Sequence, residues 1–350
     1  MHLLAFDYFR GIAILFIVAG HSYGPWAIDT FGERMLANLI TGGTALFVFI
    51  SGFFFHYVFY ERFHFTTFLL KKAKNVLLPY LILSTLGIFC HAWSSVPFPF
   101  ARELHLTQID SWGSYLELAA IYLWTGRIWT AYWYIPFIFI VFVLSPVFIG
   151  YIRLTTTQQV GLFLLLLLGS MIIQRPAGNL SPLHSVAYFF PVYLLGIMCS
   201  IHHEVVLERI KGKSISLGLL VVAFVVLQAL VNEGYGNVHK VEVFSFEGID
   251  VVLLQKIALC FFILSVFLRL QDANVRLLKL LASSSFAVFF IHPWVLAFFN
   301  LTGLRNFLSE HTSGFGVFVV TVPLVVVVSL SIAYATRVLL KSNSRYVIGW

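Results

Sequence analysis

The segment Asp7–Trp26 reads D-Y-F-R-G-I-A-I-L-F-I-V-A-G-H-S-Y-G-P-W, an apolar stretch that carries three ionisable side chains. Arg10 and His21 are eleven positions apart, and at about 100° per residue this amounts to three turns plus roughly 20°. We therefore predict both on one helix face, about 16 Å apart along the axis, with Asp7 within about 40° of that stripe. Because ionisable residues inside membrane helices are costly, we expect this face to contact protein and not lipid.

Composition assigns the whole chain to the membrane. Apolar residues make up 60% of the 350 and charged residues 11%, against roughly 25% in soluble proteins. Mean hydropathy is +0.92. We predict an all-α membrane protein, one integral membrane domain over residues 1–350, with about ten transmembrane helices. The ten predicted spans are 8–25, 38–60, 76–94, 131–152, 159–174, 184–201, 215–232, 250–269, 280–300 and 315–340.

The basic residues are distributed unevenly between the predicted loops. With the N-terminus in the cytoplasm, 15 of the 22 Lys and Arg fall inside and six outside, with Lys256 within a span. Positive charges favour cytoplasmic loops, so both termini are predicted inside, and the net charge of +7 reflects this topology and not nucleic-acid binding. The six predicted outside are Arg34, Arg102, Arg127, Arg175, Lys240 and Arg305.

Lys71, Lys72 and Lys74 precede the third predicted span. Three ammonium groups around one helical turn form a strong anion site, which suits a phosphate-rich cytoplasmic ligand. The alternative is a topological anchor that binds the anionic headgroups of membrane lipids.

Trp133 and Tyr134 lie at the outer end of the fourth predicted span. An interfacial aromatic belt is the favoured explanation there. Aromatic faces also stack on sugar rings, so binding of a carbohydrate substrate is the alternative.

His292 precedes Pro293 in the ninth predicted span. Counted from the cytoplasmic ends of their helices, His21 and His292 lie at similar depth, roughly 18–20 Å, and could form a catalytic or binding pair. The alternative for His292 is a neutral packing residue bonded to a backbone carbonyl, because Pro293 frees a carbonyl about four residues back. The three cysteines have no metal-ligand spacing, and we expect no metal.

Residues 9–21, F-R-G-I-A-I-L-F-I-V-A-G-H, resemble the Arg-x10-His first helix of the acyltransferase-3 family of membrane O-acyltransferases. Further matches follow in the family's order and extend over nearly the whole chain. They are V-F-I-S-G-F at 48–53, the basic run that ends L-L-P-Y at 77–80, Y-W-Y-I-P at 132–136, F-P-V-Y-L-L-G at 190–196 and S-F-A-V-F-F-I-H-P at 285–293.

The resemblance implies a ten-helix enzyme that moves an acetyl, succinyl or other acyl group from cytoplasmic acyl-CoA. The acceptor would be a hydroxyl of a surface polysaccharide or of its lipid-linked precursor. Size and layout resemble the subset that modifies exopolysaccharides, which implies a multi-pass protein of the bacterial inner membrane. Polysaccharide-synthesis machinery or further copies of the chain are candidate partners.

In this resemblance Arg10 and His21 match the family's essential pair, and Lys71, Lys72 and Lys74 match a basic motif for the donor. A histidine within reach of a sugar hydroxyl can take its proton during attack on the thioester, so we predict His21 as general base. A covalent acyl-histidine remains open. The competing function is a transporter or flippase of a glycan, which also needs intramembrane polar residues, although we find no inverted repeat.

Overall fold

The computed structural model describes residues 4–94, 96–104, 111–243, 245, 247–248, 250–271 and 273–350. Over these residues the chain is mostly α-helical, with one parallel pair of two-residue strands, β1 (Arg175–Pro176) and β2 (His239–Lys240). The helices are α1 (Leu4–Gly20), α2 (Phe31–Ile40), α3 (Thr44–Phe54), α4 (Phe65–Lys72), α5 (Leu78–Trp93), α6 (Trp112–Thr125), α7 (Tyr134–Val143), α8 (Ser145–Ile152), α9 (Thr156–Ile173), α10 (Pro182–Ile201), α11 (His203–Ile210), α12 (Ser214–Val231), α13 (Val251–Leu268), α14 (Arg276–Leu301), α15 (Leu304–His311), α16 (Gly314–Leu340) and α17 (Ser344–Ile348).

Eight helical stretches within the described residues are long and apolar enough to cross a membrane. A ninth results if α7 and α8, which meet at an angle of 56°, form one broken span. The first predicted span is the 17-residue helix α1. Every predicted span therefore overlaps at least one helix, which confirms the all-α membrane class. The orientation of the termini and the single domain stay predictions.

The first helix ends earlier than predicted. It stops at Gly20, and the amides of His21 and Ser22 donate to the carbonyls of Val18 and Ala19, three residues back. Gly24, at a φ of +56°, and Pro25 then turn the chain away from the helix axis. The prediction of helix to Trp26 is wrong at this end, and His21 is the first residue after the helix.

Close contacts between backbones hold α1, α3, α10 and α14 at the centre. A Cβ added at Gly52 would overlap the carbonyl oxygen of Tyr193, and one at Gly196 would overlap that of Phe49, so only glycine permits this approach of α3 and α10. Gly11 also brings α1 close to α14, at the carbonyl oxygen of Leu278, although less closely than α3 and α10 approach each other. Along their spanning windows, 78% of α10 and 72% of α14 are buried, against 17% of α9 and 28% of α12, so the outer helices face lipid.

Two buried lysines complete helix ends. Lys256 of α13 donates to the carbonyl of Asn38 in the last turn of α2, and Lys240 of β2 donates to that of Ile172 near the end of α9. Both ammonium groups thus occupy the negative ends of helix dipoles, where cations are favoured. These hydrogen bonds to helix ends give both buried lysines a structural role.

Candidate active site

The two histidines predicted at equal depth are in contact. His21, at the end of α1, has its Nδ1 3.1 Å from Nε2 of His292 in α14. The two rings are within 9° of parallel and their centroids are 5.3 Å apart. His292 is fully buried, and its Nδ1 lies 2.9 Å from the carbonyl oxygen of Val288, one turn earlier in α14. The predicted pair is therefore present, and the carbonyl contact predicted for His292 coexists with it.

The partners of the neutral pair determine where its protons lie. The carbonyl of Val288 only accepts, so Nδ1 of His292 donates to it. Nε2 of His292 is then unprotonated and accepts from Nδ1–H of His21. This leaves the lone pair of His21 on Nε2. His292 thus selects the tautomer of His21, as the third member of a catalytic triad does for its histidine.

A narrow central cavity adjoins His21. Its volume of about 20 Å³ holds roughly one water-sized group, and its lining includes Thr44, Ser285, Trp133 and Tyr134. Trp133 and Tyr134 are only 4% and 7% exposed. The favoured sequence interpretation, an interfacial belt, is therefore wrong for both residues, because belt aromatics lie at the lipid surface.

A second cavity, of about 360 Å³, lies toward the N-terminal end of α1 and contains Arg10 and Lys72. We call it the Arg10 cavity. Arg10 is one-third exposed and lies 3.6 Å from the carboxylate of Asp7, which also lines the cavity. Phe47 and Phe286 line both this cavity and the central one, so the two are adjacent.

Only one of the three predicted donor-binding lysines lines the Arg10 cavity. The Lys72 ammonium lies over the rings of Phe142 and Phe59, at 4.6 and 4.9 Å from their centroids. Lys71 and Lys74 are exposed and do not line it. Lys71 and Lys72 are adjacent in α4 and point about 100° apart around the helix, so only one of them faces the cavity, and Lys74 lies in a π-helical segment, Ala73–Leu77.

A third cavity, of about 250 Å³, lies beyond the C-terminal end of α1 and contains Arg127 and Arg175. We call it the arginine cavity. Its lining shares His21, Thr44 and Trp133 with the central cavity. The sequence analysis placed both arginines in outer loops and did not predict them as site residues. Their surroundings, T-G-R-I-W-T and I-I-Q-R-P, are apolar for charged loops, which was the available signal.

Both arginines of this cavity are 6% exposed. Burial, and then the neighbouring Arg175, lower the pKa of Arg127 to about 10, so it stays protonated at neutral pH. The pKa of Arg175 is also lowered by burial, against the opposing effect of Tyr188 and Asp250. The cavity is therefore positively charged.

The three cavities follow one another along α1, with His21 between the outer two. An imidazole in this position can meet one reactant from each side. Within the described residues no three His, Cys, Asp or Glu side chains form a group that could hold a metal ion. The predicted independence from metals stays a prediction.

No curated protein matches this chain, and no solved structure matches it. The model of the acyltransferase-3 family, described as an acyltransferase domain, matches residues 3–334, which is nearly the whole chain. The matched region contains α1, α14 and all three cavities. The chain therefore belongs to the acyltransferase-3 family and is a membrane acyltransferase domain.

Proposed function

We propose that this protein transfers an acetyl, succinyl or related acyl group from acyl-CoA to a hydroxyl of a surface polysaccharide or its lipid-linked precursor, with His21 as general base. One observation carries the proposal. His21 lines both the central and the arginine cavity, and its Nδ1 is bonded to His292, which leaves Nε2 as the basic nitrogen. A base reached from two sides suits a reaction between two substrates.

The Arg10 cavity is the proposed donor entrance. Its charged residues, Arg10 and Lys72, suit the coenzyme's phosphates, and the aromatic rings around them suit the uncharged pantetheine arm. The rise of about 16 Å from Arg10 to His21 is of the order of that arm's reach. The thioester would then pass Phe47 and Phe286 to reach His21.

The reaction needs one proton transfer in each direction. Nε2 of His21 takes the hydroxyl proton as the acceptor oxygen attacks the thioester carbonyl, which gives a tetrahedral oxyanion. Collapse of this intermediate breaks the carbon–sulfur bond and releases the thiolate of coenzyme A. The His21 imidazolium returns its proton to this thiolate, so His21 ends neutral and the acyl group ends as an ester.

The proposed location is the bacterial inner membrane, with the donor side in the cytoplasm. The excess of Lys and Arg on that side supports this orientation. Single cysteines at Ser111 and Ser342, both exposed, test it after the exposed Cys90 is replaced by serine. We expect an impermeant maleimide to label the first from outside the cell and the second only after permeabilisation. The reverse labelling pattern would place the donor entrance outside the cell and the acceptor entrance in the cytoplasm.

Release of coenzyme A by purified protein in liposomes tests the chemistry. Acetyl-CoA and succinyl-CoA are offered with a polysaccharide fraction, and the glycan mass is measured. We expect His21→Gln to reduce release by about 10²–10⁴-fold, the usual value of general-base catalysis. His311→Gln is the matched control, because His311 is exposed on α15 and lines none of the three cavities. Full activity in His21→Gln would refute the assignment of the base, and no release by wild-type protein would favour a transporter.

A further inference from the structure

The arginine cavity has a charge that acyl transfer to a neutral sugar does not need. Arg127 and Arg175 are each only 6% exposed. Burying a cation without a counter-ion is costly, and such groups in membrane proteins mark binding sites or pathways. The question is what compensates these charges.

The direct contacts of Arg127 are all neutral, and the nearby Glu103 acts on it only through charge at a distance beyond an ion pair. NH1 of Arg127 donates to the carbonyl oxygen of Thr130 at 3.2 Å, and its guanidinium lies 3.8 Å from the ring centroid of Phe100. Its Nε is buried and has no hydrogen-bond partner. Within the described residues no carboxylate lies within ion-pair distance of Arg127.

Arg175 is bound in the same way. It donates to the side-chain oxygens of Asn237 and Asn179, at 2.8 and 2.7 Å, and its Nε is also buried without a partner. The nearby acid, Asp250, instead accepts from Tyr188 at 2.6 Å and caps α13 at Leu253. Over the described part of the chain, Arg175 too has no carboxylate in ion-pair contact.

The buried lysines show what a structural role looks like in this fold. Lys240 and Lys256 donate to carbonyls near helix ends, and neither lines the arginine cavity. Arg127 and Arg175 do line it, together with His21. Their charges therefore face the space in which the acceptor would approach the base.

We propose that the acceptor carries an anionic group, a carboxylate or a phosphate, close to the hydroxyl that is acylated, and that Arg127 and Arg175 bind this group. The inference rests on the proposed function, since it names the substrate class for the same site. Guanidinium groups bind both kinds of anion through paired N–H donors, and a buried setting strengthens the contact. The bound anion would hold the neighbouring hydroxyl beside His21.

Direct binding tests the inference without catalysis. Titration calorimetry on the full chain in nanodiscs compares methyl glucuronide, glucose 1-phosphate and methyl glucoside. We expect an anionic ligand to bind at least tenfold more tightly than the neutral glucoside. Tighter binding of the glucuronide indicates a carboxylate, and tighter binding of the phosphate ester indicates a phosphate. Equal affinities for all three would overturn the inference.

Variants locate the site. Arg127→Gln and Arg175→Gln should each weaken anion binding at least tenfold and leave glucoside binding unchanged. Arg102→Gln is the control, because Arg102 is an exposed arginine that does not line the cavity. Thermal denaturation would first show that both Gln variants are folded. Unchanged anion binding in both would then also overturn the inference.

Activity separates this inference from the proposed function. If coenzyme A is released but anionic ligands bind no more tightly than neutral ones, the acyl-transfer proposal is supported and the anion site is refuted. If anions bind in a manner that depends on the two arginines but no coenzyme A is released, the anion site is supported and the acyl-transfer proposal is refuted. A merely structural role for the arginines would lower stability and weaken binding of all three sugars alike.

Discussion

The Arg10 cavity and the arginine cavity lie at opposite ends of α1 and hold their cations in different ways. The Arg10 cavity contains two cations and one acid, Arg10, Lys72 and Asp7, which leave a formal charge of +1. The arginine cavity contains two cations and no acid, which leave +2. Arg10 is one-third exposed, whereas Arg127 and Arg175 are almost wholly buried. The more costly charges therefore lie at the end where the sequence predicted aromatic acceptor-binding residues but no charged ones.

This difference suggests different ligands. Phenylalanine supplies seven of the fourteen residues that line the Arg10 cavity, and the cavity carries little net charge, so it suits a long uncharged chain with phosphates at its mouth. The exposed Lys71 and Lys74 lie outside the cavity, where a nucleotide can remain in water. The arginine cavity suits a compact anion close to the base. The comparison assigns the flexible donor to one end and a charged acceptor to the other.

After the loss expected at His21 itself, the largest effect is expected at His292, which lines neither cavity but is bonded to the base that both cavities share. His292→Ala removes the acceptor for Nδ1–H of His21, so kcat should fall about 10–100-fold, as for other groups that orient a catalytic ligand. The KM values of both substrates should change little. Steady-state kinetics of coenzyme A release against each substrate gives these values.

His292→Gln provides the control, because its side-chain oxygen can accept from His21 and should restore part of kcat. A purely structural role would instead lower thermal stability in both variants and leave kcat intact in the folded fraction. Loss confined to one substrate's KM would contradict the idea of a shared base.

A smaller effect, on the donor only, is expected at Lys72. Lys72→Gln should raise the KM for acyl-CoA about tenfold, as for one lost charge-assisted hydrogen bond, with kcat and acceptor KM unchanged. Lys71→Gln is the matched control, since Lys71 is adjacent in sequence but does not line the cavity. Equal effects of the two variants would mean that the donor contacts the surface and not the cavity.

The sequence predicted much of the fold because hydrophobic length and charge asymmetry are local properties. All ten spans overlap at least one helix, and the depth of His292 relative to His21 followed from residue counts along two helices. The end of α1 was predicted five or six residues too late, because no Asp, Glu, Lys or Arg follows Gly20 before Asp29, and Gly24 and Pro25 act only through backbone geometry.

The arginine cavity could not be predicted in the same way. Arg127, Arg175 and His239 come from three separate non-helical segments that meet only through the packing of α7, α9 and α10 and the pairing of β1 with β2. No spacing in the sequence encodes that meeting. Trp133 was open to two interpretations for a related reason. An aromatic residue at the end of a span gives the same sequence pattern whether it faces lipid or a buried cavity.

An effect of comparable size, on the acceptor only, is expected at Trp133, which lines both the central and the arginine cavity and whose ring centroid lies 5.1 Å from the Arg175 guanidinium. A cation–π contact of this kind contributes about 0.5–2 kcal/mol to holding the Arg175 guanidinium in place, so its loss should weaken acceptor binding by no more than roughly two- to thirtyfold. Trp133→Leu keeps an apolar side chain and should raise the KM for the acceptor within that range. The KM for acyl-CoA should stay the same, because the Arg10 cavity does not include Trp133. Trp124→Leu is the control, since Trp124 is 52% exposed on α6. A rise in donor KM with Trp133→Leu would show that the donor also contacts Trp133, which lines the central cavity as well, and this residue would then not distinguish the acceptor side from the donor side.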